Sequence, residues 1–244
     1  SNLLYVLLCD RRGRVWCGTA DRGLCWFEKG AFHVFAAHEW YARDSVLSLF
    51  EDSRGRIWFA GYCGVGYVDD GGVCDLSAPY HSACGHRPVG CWGIVEDQHG
   101  DMWFGGLDVS RWDGRQFVVL GADHGLCPPQ ELFYAVTQGP DGALWVGRGQ
   151  HLFRGDRRGF AAVQVALGGG IRKLQLGSDG RLWLSTLGGA VYLEGGVFHA
   201  IGPADGLAHA RVISVCHDRE GQYWFATWGG GLSCLDPDGP HRPA

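Results

Sequence analysis

Lysine and asparagine are nearly missing from this 244-residue chain: Lys29 and Lys173 are its two lysines and Asn2 its one asparagine. Beside abundant glycine, arginine and alanine, that scarcity fits the codon bias of a GC-rich bacterial genome. Charged residues are sparse too, at 19%, with a net charge of -5 and the arginines scattered along the chain. No basic field is available to hold a phosphate backbone, which excludes nucleic acid as a partner. Long apolar runs are absent, and none approaches the roughly 18 to 20 residues that a bilayer-spanning helix needs. This segment is therefore expected to make no membrane contact. No basic region followed by an apolar stretch opens the chain, and the apolar strand pattern from Leu3 to Leu8 reads as the start of a fragment cut from something longer. There is no C-x-x-C pair. Cys84, His86 and Cys91 lack the four-ligand spacing of a zinc site, so neither a metal nor any cofactor is expected.

What is present in excess is glycine, 41 residues, together with 11 tryptophans and 13% aromatics. That mixture suits short strands joined by tight turns and argues against long helices. At a nearly fixed period, glycine followed three residues later by tryptophan recurs six times: Gly13/Trp16, Gly55/Trp58, Gly100/Trp103, Gly142/Trp145, Gly180/Trp183 and Gly221/Trp224. The Trp-to-Trp steps are 42, 45, 42, 38 and 41 residues, a period that marks propeller blades. Each unit reads as an apolar strand, an Asp/Gly turn, a strand bearing the Trp, a Gly-rich turn, a third strand and usually a fourth. In the second unit these are Val46 to Phe50, Asp52 to Gly55, Arg56 to Ala60, Gly61 to Gly64, Val65 to Val68 and Val73 to Leu76.

The expectation is an all-β fold: one β-propeller over residues 1–244, with six blades of about four antiparallel strands. Their spans are about 3–44, 45–88, 89–130, 131–170, 171–211 and 212–244. Either the last blade is three-stranded or the ring continues into further blades. In the turns, Asp bonds the backbone two residues on and Gly accepts positive φ. A tryptophan at one register in every blade reads as a wedge between neighbouring sheets, not as six active sites. Trp26 and Trp112 in third strands and Trp92 in a first strand are expected in the core, whereas Trp40 and Trp228 fall in loops. The cysteines are expected to be mainly unpaired, with Cys9, Cys25, Cys216 and Cys234 inside strands and Cys63, Cys84, Cys91 and Cys127 in exposed loops.

The stretches EDSRGRIWFAG (51–61), EDQHGDMWFGG (96–106) and HDREGQYWFATWGGGL (217–232) resemble the two-component regulator propeller repeat. The connectors GADHGL (121–126) and GPADGL (202–207) are similar to the link that leads into the next blade in that family. Units four and five depart from the pattern, with Gly139 and Gly177 in place of the first turn Asp. The resemblance implies a periplasmic input module, working with downstream domains of the same receptor such as a histidine kinase, response regulator or diguanylate cyclase. It also implies a small polar or carbohydrate-like ligand and no catalysis by this domain.

In a propeller the blade-to-blade connectors share one side with the turns between second and third strands, and variable loops on a rigid frame are where binding is placed. The residues expected to face a ligand there are Trp40, Tyr41, Arg43, Tyr62, His81, His86, Arg87, Arg148, Arg211 and Trp228; Tyr80, Asp108, His151 and Arg172 belong to the same side. Glu51 and Glu96 adjoin turn aspartates and read as structural, and no paired acid and base stands out. A protein-docking scaffold and a propeller lyase or lactonase are the alternatives.

Overall fold

The structure is a computed structural model that describes residues 3–35, 39–42, 44–85, 90–126 and 135–235. Arg43, His86, Arg87 and Cys127 lie outside the described residues. The first blade is β1 (Leu4–Cys9), β2 (Val15–Thr19), β3 (Leu24–Glu28) and β4 (Ala31–Val34); the second is β5 (Val46–Glu51), β6 (Ile57–Gly61), β7 (Val65–Asp69) and β8 (Gly72–Asp75). The third is β9 (Gly93–Glu96), β10 (Met102–Gly105), β11 (Val109–Trp112) and β12 (Phe117–Leu120). The fourth is β13 (Ala135–Gln138), β14 (Leu144–Arg148), β15 (His151–Asp156) and β16 (Gly159–Val163), and the fifth is β17 (Ile171–Leu176), β18 (Leu182–Thr186), β19 (Gly189–Glu194) and β20 (Val197–Ile201). The last is β21 (Val212–His217), β22 (Tyr223–Thr227) and β23 (Gly231–Leu235), three-stranded among the described residues. Every sheet is an antiparallel meander in chain order. This is the six-bladed propeller architecture that the repeat predicts. Two compact units divide it, Ser1–Gly121 with the first three blades and Ala122–Ala244 with the others.

The turn between first and second strands shows why Asp, Gly and Trp recur together. In the second blade Asp52 Oδ1 accepts the backbone N–H groups of Arg54 (3.0 Å) and Arg56 (2.9 Å), which closes the turn, while Gly55 takes φ +77°. The other oxygen, Oδ2, accepts from the Trp58 indole Nε1 at 2.7 Å and from Arg56 Nε at 2.6 Å. Asp10, Asp97 and Asp218 hold Trp16, Trp103 and Trp224 in the same way, at 2.8, 2.8 and 2.7 Å. One carboxylate therefore fixes both the turn and the wedge residue, and it satisfies an indole N–H that burial would otherwise orphan. Burial alone would raise the Asp10 and Asp52 carboxyls, but the indole, backbone and guanidinium donors outweigh it and hold both below the usual carboxylate range.

The wedge reading holds for four of the six registered tryptophans. Trp16 packs with Val46, Ile57 and Phe59 of the next blade, Trp58 with Ile94, Met102 and Phe104, Trp145 with Ile171, Leu182 and Leu184, and Trp183 with Val212, Tyr223 and Phe225. Carboxylates add polar links between blades: Glu51 Oε2 accepts from Arg11 N (3.0 Å) and Glu96 Oε2 from Ser53 N (2.6 Å).

Several expectations are corrected. Trp224 is 37% exposed, unlike the other five registered tryptophans. Trp92 precedes β9 instead of lying within it and is 38% exposed, against Tyr5. The connector after β8 holds a helix, α1 (Ser77–Cys84), capped by Gly85 at φ +70°. Cys91, expected in an exposed loop, is fully buried with its Sγ 3.4 Å from the Gly93 carbonyl, whereas Cys9 and Cys216 point outward from their strands. None of the nine described cysteines is in a disulfide, Cys63, Cys84 and Cys91 included.

Candidate functional site

In each meander the second-to-third-strand turns and the connectors lie at one end of the strands. In the first unit this side is more packed than the sequence implies. Trp40 and Tyr41 form a short 3-10 helix (Trp40–Ala42), and both rings lie against Phe59 at 5.6 Å. The Trp40 indole donates to Asp75 Oδ2 at 3.1 Å, while Asp75 Oδ1 accepts from Ser77 N at 2.9 Å. Asp75 thus ties one connector to the start of α1, a role that sequence reasoning missed. A glycine is required at position 64, since a Cβ there would fall 2.9 Å from the Trp40 ring and closer still to Ser77. Burial, and then the nearby Glu39 and Asp75, push the Tyr41 hydroxyl pKa up.

Tyr62 lies in the β6–β7 turn, partly exposed, with its pKa raised by burial and by Tyr5. His81 is on α1, half-buried beside Tyr80, whose ring stands edge-on to Phe117 at 5.1 Å. Tyr80 is buried, which drives its hydroxyl pKa far up, and Cys84 is pushed to about 11 by the same burial.

In the second unit the structure brings predicted residues together. Arg172, Leu187, Arg211, Val212, Ile213 and Trp228 surround a recess of about 190 Å³ on the connector side. Trp228 is 63% exposed at the β22–β23 turn, and its backbone N–H donates to the Arg211 carbonyl at 2.9 Å, which joins the two backbones at the rim of the recess. Arg211 N in turn donates to His209 Nδ1 at 3.0 Å. The opposite wall is held by a close backbone approach: Leu187 N donates to the Gly170 carbonyl at 3.0 Å, and a Cβ on Gly188 would fall 2.3 Å from Gly168. Two guanidiniums, an exposed indole and the apolar Leu187 and Ile213 can grip a ring through its face and through oxygen acceptors on its edge. Arg148 is not part of this recess; it is buried at the end of β14. No cluster of three or more potential metal ligands occurs among the described residues.

The fold and this geometry define the class: a six-bladed β-propeller with a small recess on its connector side. Within that class, residues 41–63 and 206–229 match the model of the two component regulator propeller family. Three solved structures are similar over nearly all of it. The extracellular domain of the hybrid two component system BT3049 from B. thetaiotaomicron is 21% identical, with TM-score 0.81 over 98% of this chain and 34% of that one. Virginiamycin B lyase from Staphylococcus aureus is 19% identical, with TM-score 0.75 over 95% and 80%. PorZ, a surface component of the type-IX secretion system of Porphyromonas gingivalis, is 15% identical, with TM-score 0.73 over 94% and 38%. The chain thus spans about a third of the BT3049 domain. No curated protein matches it. Among the described residues no helix is long and apolar enough to cross a membrane.

Proposed function

We propose that the chain is the periplasmic sensing propeller of a bacterial two-component-type receptor, binding a small polar or carbohydrate-like ligand on its connector side without catalysing a reaction. The observation that carries this reading is the convergence of Arg172, Arg211 and Trp228 on one recess. Support comes from the family repeats and from the likeness to an extracellular two-component domain. The ligand's apolar ring face stacks on the Trp228 indole, and the guanidiniums donate to its hydroxyl or carboxylate oxygens. Trp40 and Tyr41 shape the first unit's connector through packing. The signal then passes to downstream domains of the same receptor.

The test is signalling by the intact receptor with Arg211→Ala and Trp228→Ala, each checked for folding. Both variants should lose the response to inducer and keep basal output. An undiminished response in both would refute the recess as the sensing site. An enzymatic propeller shares this fold and predicts turnover of the bound compound, whereas the sensor reading predicts binding alone.

A further inference from the structure

The repeat is broken in two adjacent blades, and a recess of about 660 Å³ lies where they meet, within the second unit. Gly139 and Gly177 replace the turn Asp there, and the Trp145 indole Nε1 is buried with no hydrogen-bond partner. The lining comes from the β13–β14, β17–β18 and β19–β20 turns, at the strand ends opposite the connectors. It shares no residue with the Arg172–Arg211–Trp228 recess, so either site can fail alone.

Its floor is apolar: Trp145 and Phe198 meet edge-on with centroids 6.5 Å apart, beside Leu193. Its rim is charged. Arg154 Nε donates to Asp141 Oδ2 at 2.9 Å, and Arg181 Nε and Nη2 both donate to Glu194 Oε1, at 2.9 and 2.8 Å. Arg181 Nη1 stands 3.6 Å from Asp179 Oδ2, an ion pair too long for a hydrogen bond. Asp141, Asp179 and Glu194 thus set three carboxylates against two guanidiniums. The excess is one negative charge above an aromatic floor. A cation on an apolar body answers that arrangement, because it neutralises the spare carboxylate and rests on ring faces that attract positive charge. The volume is that of a small-molecule pocket, within about 300–1,000 Å³.

We propose that this recess binds a small molecule bearing a primary amine or guanidine on an aromatic or apolar body, the cationic group between Asp179 and Glu194 and the body over Phe198 and Trp145. The test is a titration of the chain with 2-phenylethylamine, followed by calorimetry and by the Trp145 indole N–H resonance, assigned with Trp145→Phe. 2-Phenylethanol and phenylacetate serve as neutral and anionic counterparts. Glu194→Gln and Asp179→Asn keep shape and oxygen acceptors while removing charge, and an unchanged indole N–H spectrum verifies their fold. The expected result is saturable binding of the amine that shifts the Trp145 resonance, weakened about tenfold or more in the double variant and in the alcohol. Equal binding of the alcohol or of phenylacetate would overturn the proposal. So would undiminished binding by the double variant, or the absence of saturation by the amine.

Discussion

Replacing Asp52 by Ala removes the acceptor on which one blade's turn and wedge both depend. Asp52 is fully buried and takes four hydrogen bonds, from Arg54 N, Arg56 N, Arg56 Nε and Trp58 Nε1. Orphaning the Trp58 N–H, itself at 0% exposure, costs about 1–3 kcal/mol. Loss of the charge-assisted bond from Arg56 adds about 1–2 kcal/mol, the low end of its range, because that guanidinium is partly exposed and water can replace the carboxylate. The total expected loss is about 2–5 kcal/mol, read as a fall in the urea midpoint at unchanged slope. A double-mutant cycle isolates the indole contribution. Trp58→Phe in the Asp52→Ala background deletes the orphaned donor, so the two changes together should cost about 1–2 kcal/mol less than their sum. Additivity within about 0.5 kcal/mol, or a loss below about 1 kcal/mol for Asp52→Ala alone, would refute the reasoning.

Other expectations follow from the same contacts. Asp10, Asp52 and Asp218 are held below the ordinary carboxylate range in the folded chain, so the unfolded chain binds protons more readily. Their contribution is whole above the unfolded value near about pH 4 and is lost as pH falls through the lower folded values; urea midpoints that rise on acidification below that pH would contradict it. Trp145→Ala should cost about 3–5 kcal/mol as a buried large-to-small change, and Trp224→Ala distinctly less because that ring is 37% exposed; equal losses would count against the wedge account. Iodoacetamide should label Cys9 and Cys216 in the folded chain, while Cys91, buried and pushed up to about 12, should react only on unfolding. Mass spectrometry reads both, and three or more disulfides in the non-reduced protein would overturn the unpaired assignment.

The repeat was legible in the sequence because its cause is local: a turn that needs Asp and Gly sits a fixed distance before a Trp that must fill a wedge. The second blade's strands were placed to within a residue on that basis. The carboxylate-to-indole bond was not foreseen, although Gly139 and Gly177 marked the blades that lack it. Helix α1 escaped detection because Ser77 to Cys84 has loop-like composition; what orders it is Tyr80 against Phe104 and Phe117, a contact across sequence. Trp40 and Tyr41 looked like a stacking platform because nothing nearby in sequence reveals Phe59 beneath them. Cys9 and Cys216 lie in strands as expected but on the outward face, because strand membership alone does not say which face of the pleat a residue takes. Arg211 and Trp228 could be assigned to one side from connector logic, but the Trp228 N–H to Arg211 carbonyl bond that sets them together is visible only in three dimensions.

The central claim is that Arg172, Arg211 and Trp228 form the recognition site, and the most direct measurement is the Trp228 indole N–H resonance, assigned with Trp228→Phe, during titration with polysaccharide breakdown products that induce the receptor. A compound that induces signalling should shift Trp228 and the Arg211 backbone amide together, with one saturation curve, and a non-inducing isomer should leave both in place. Binding of an inducer that leaves the Trp228 and Arg211 signals unmoved would contradict the account.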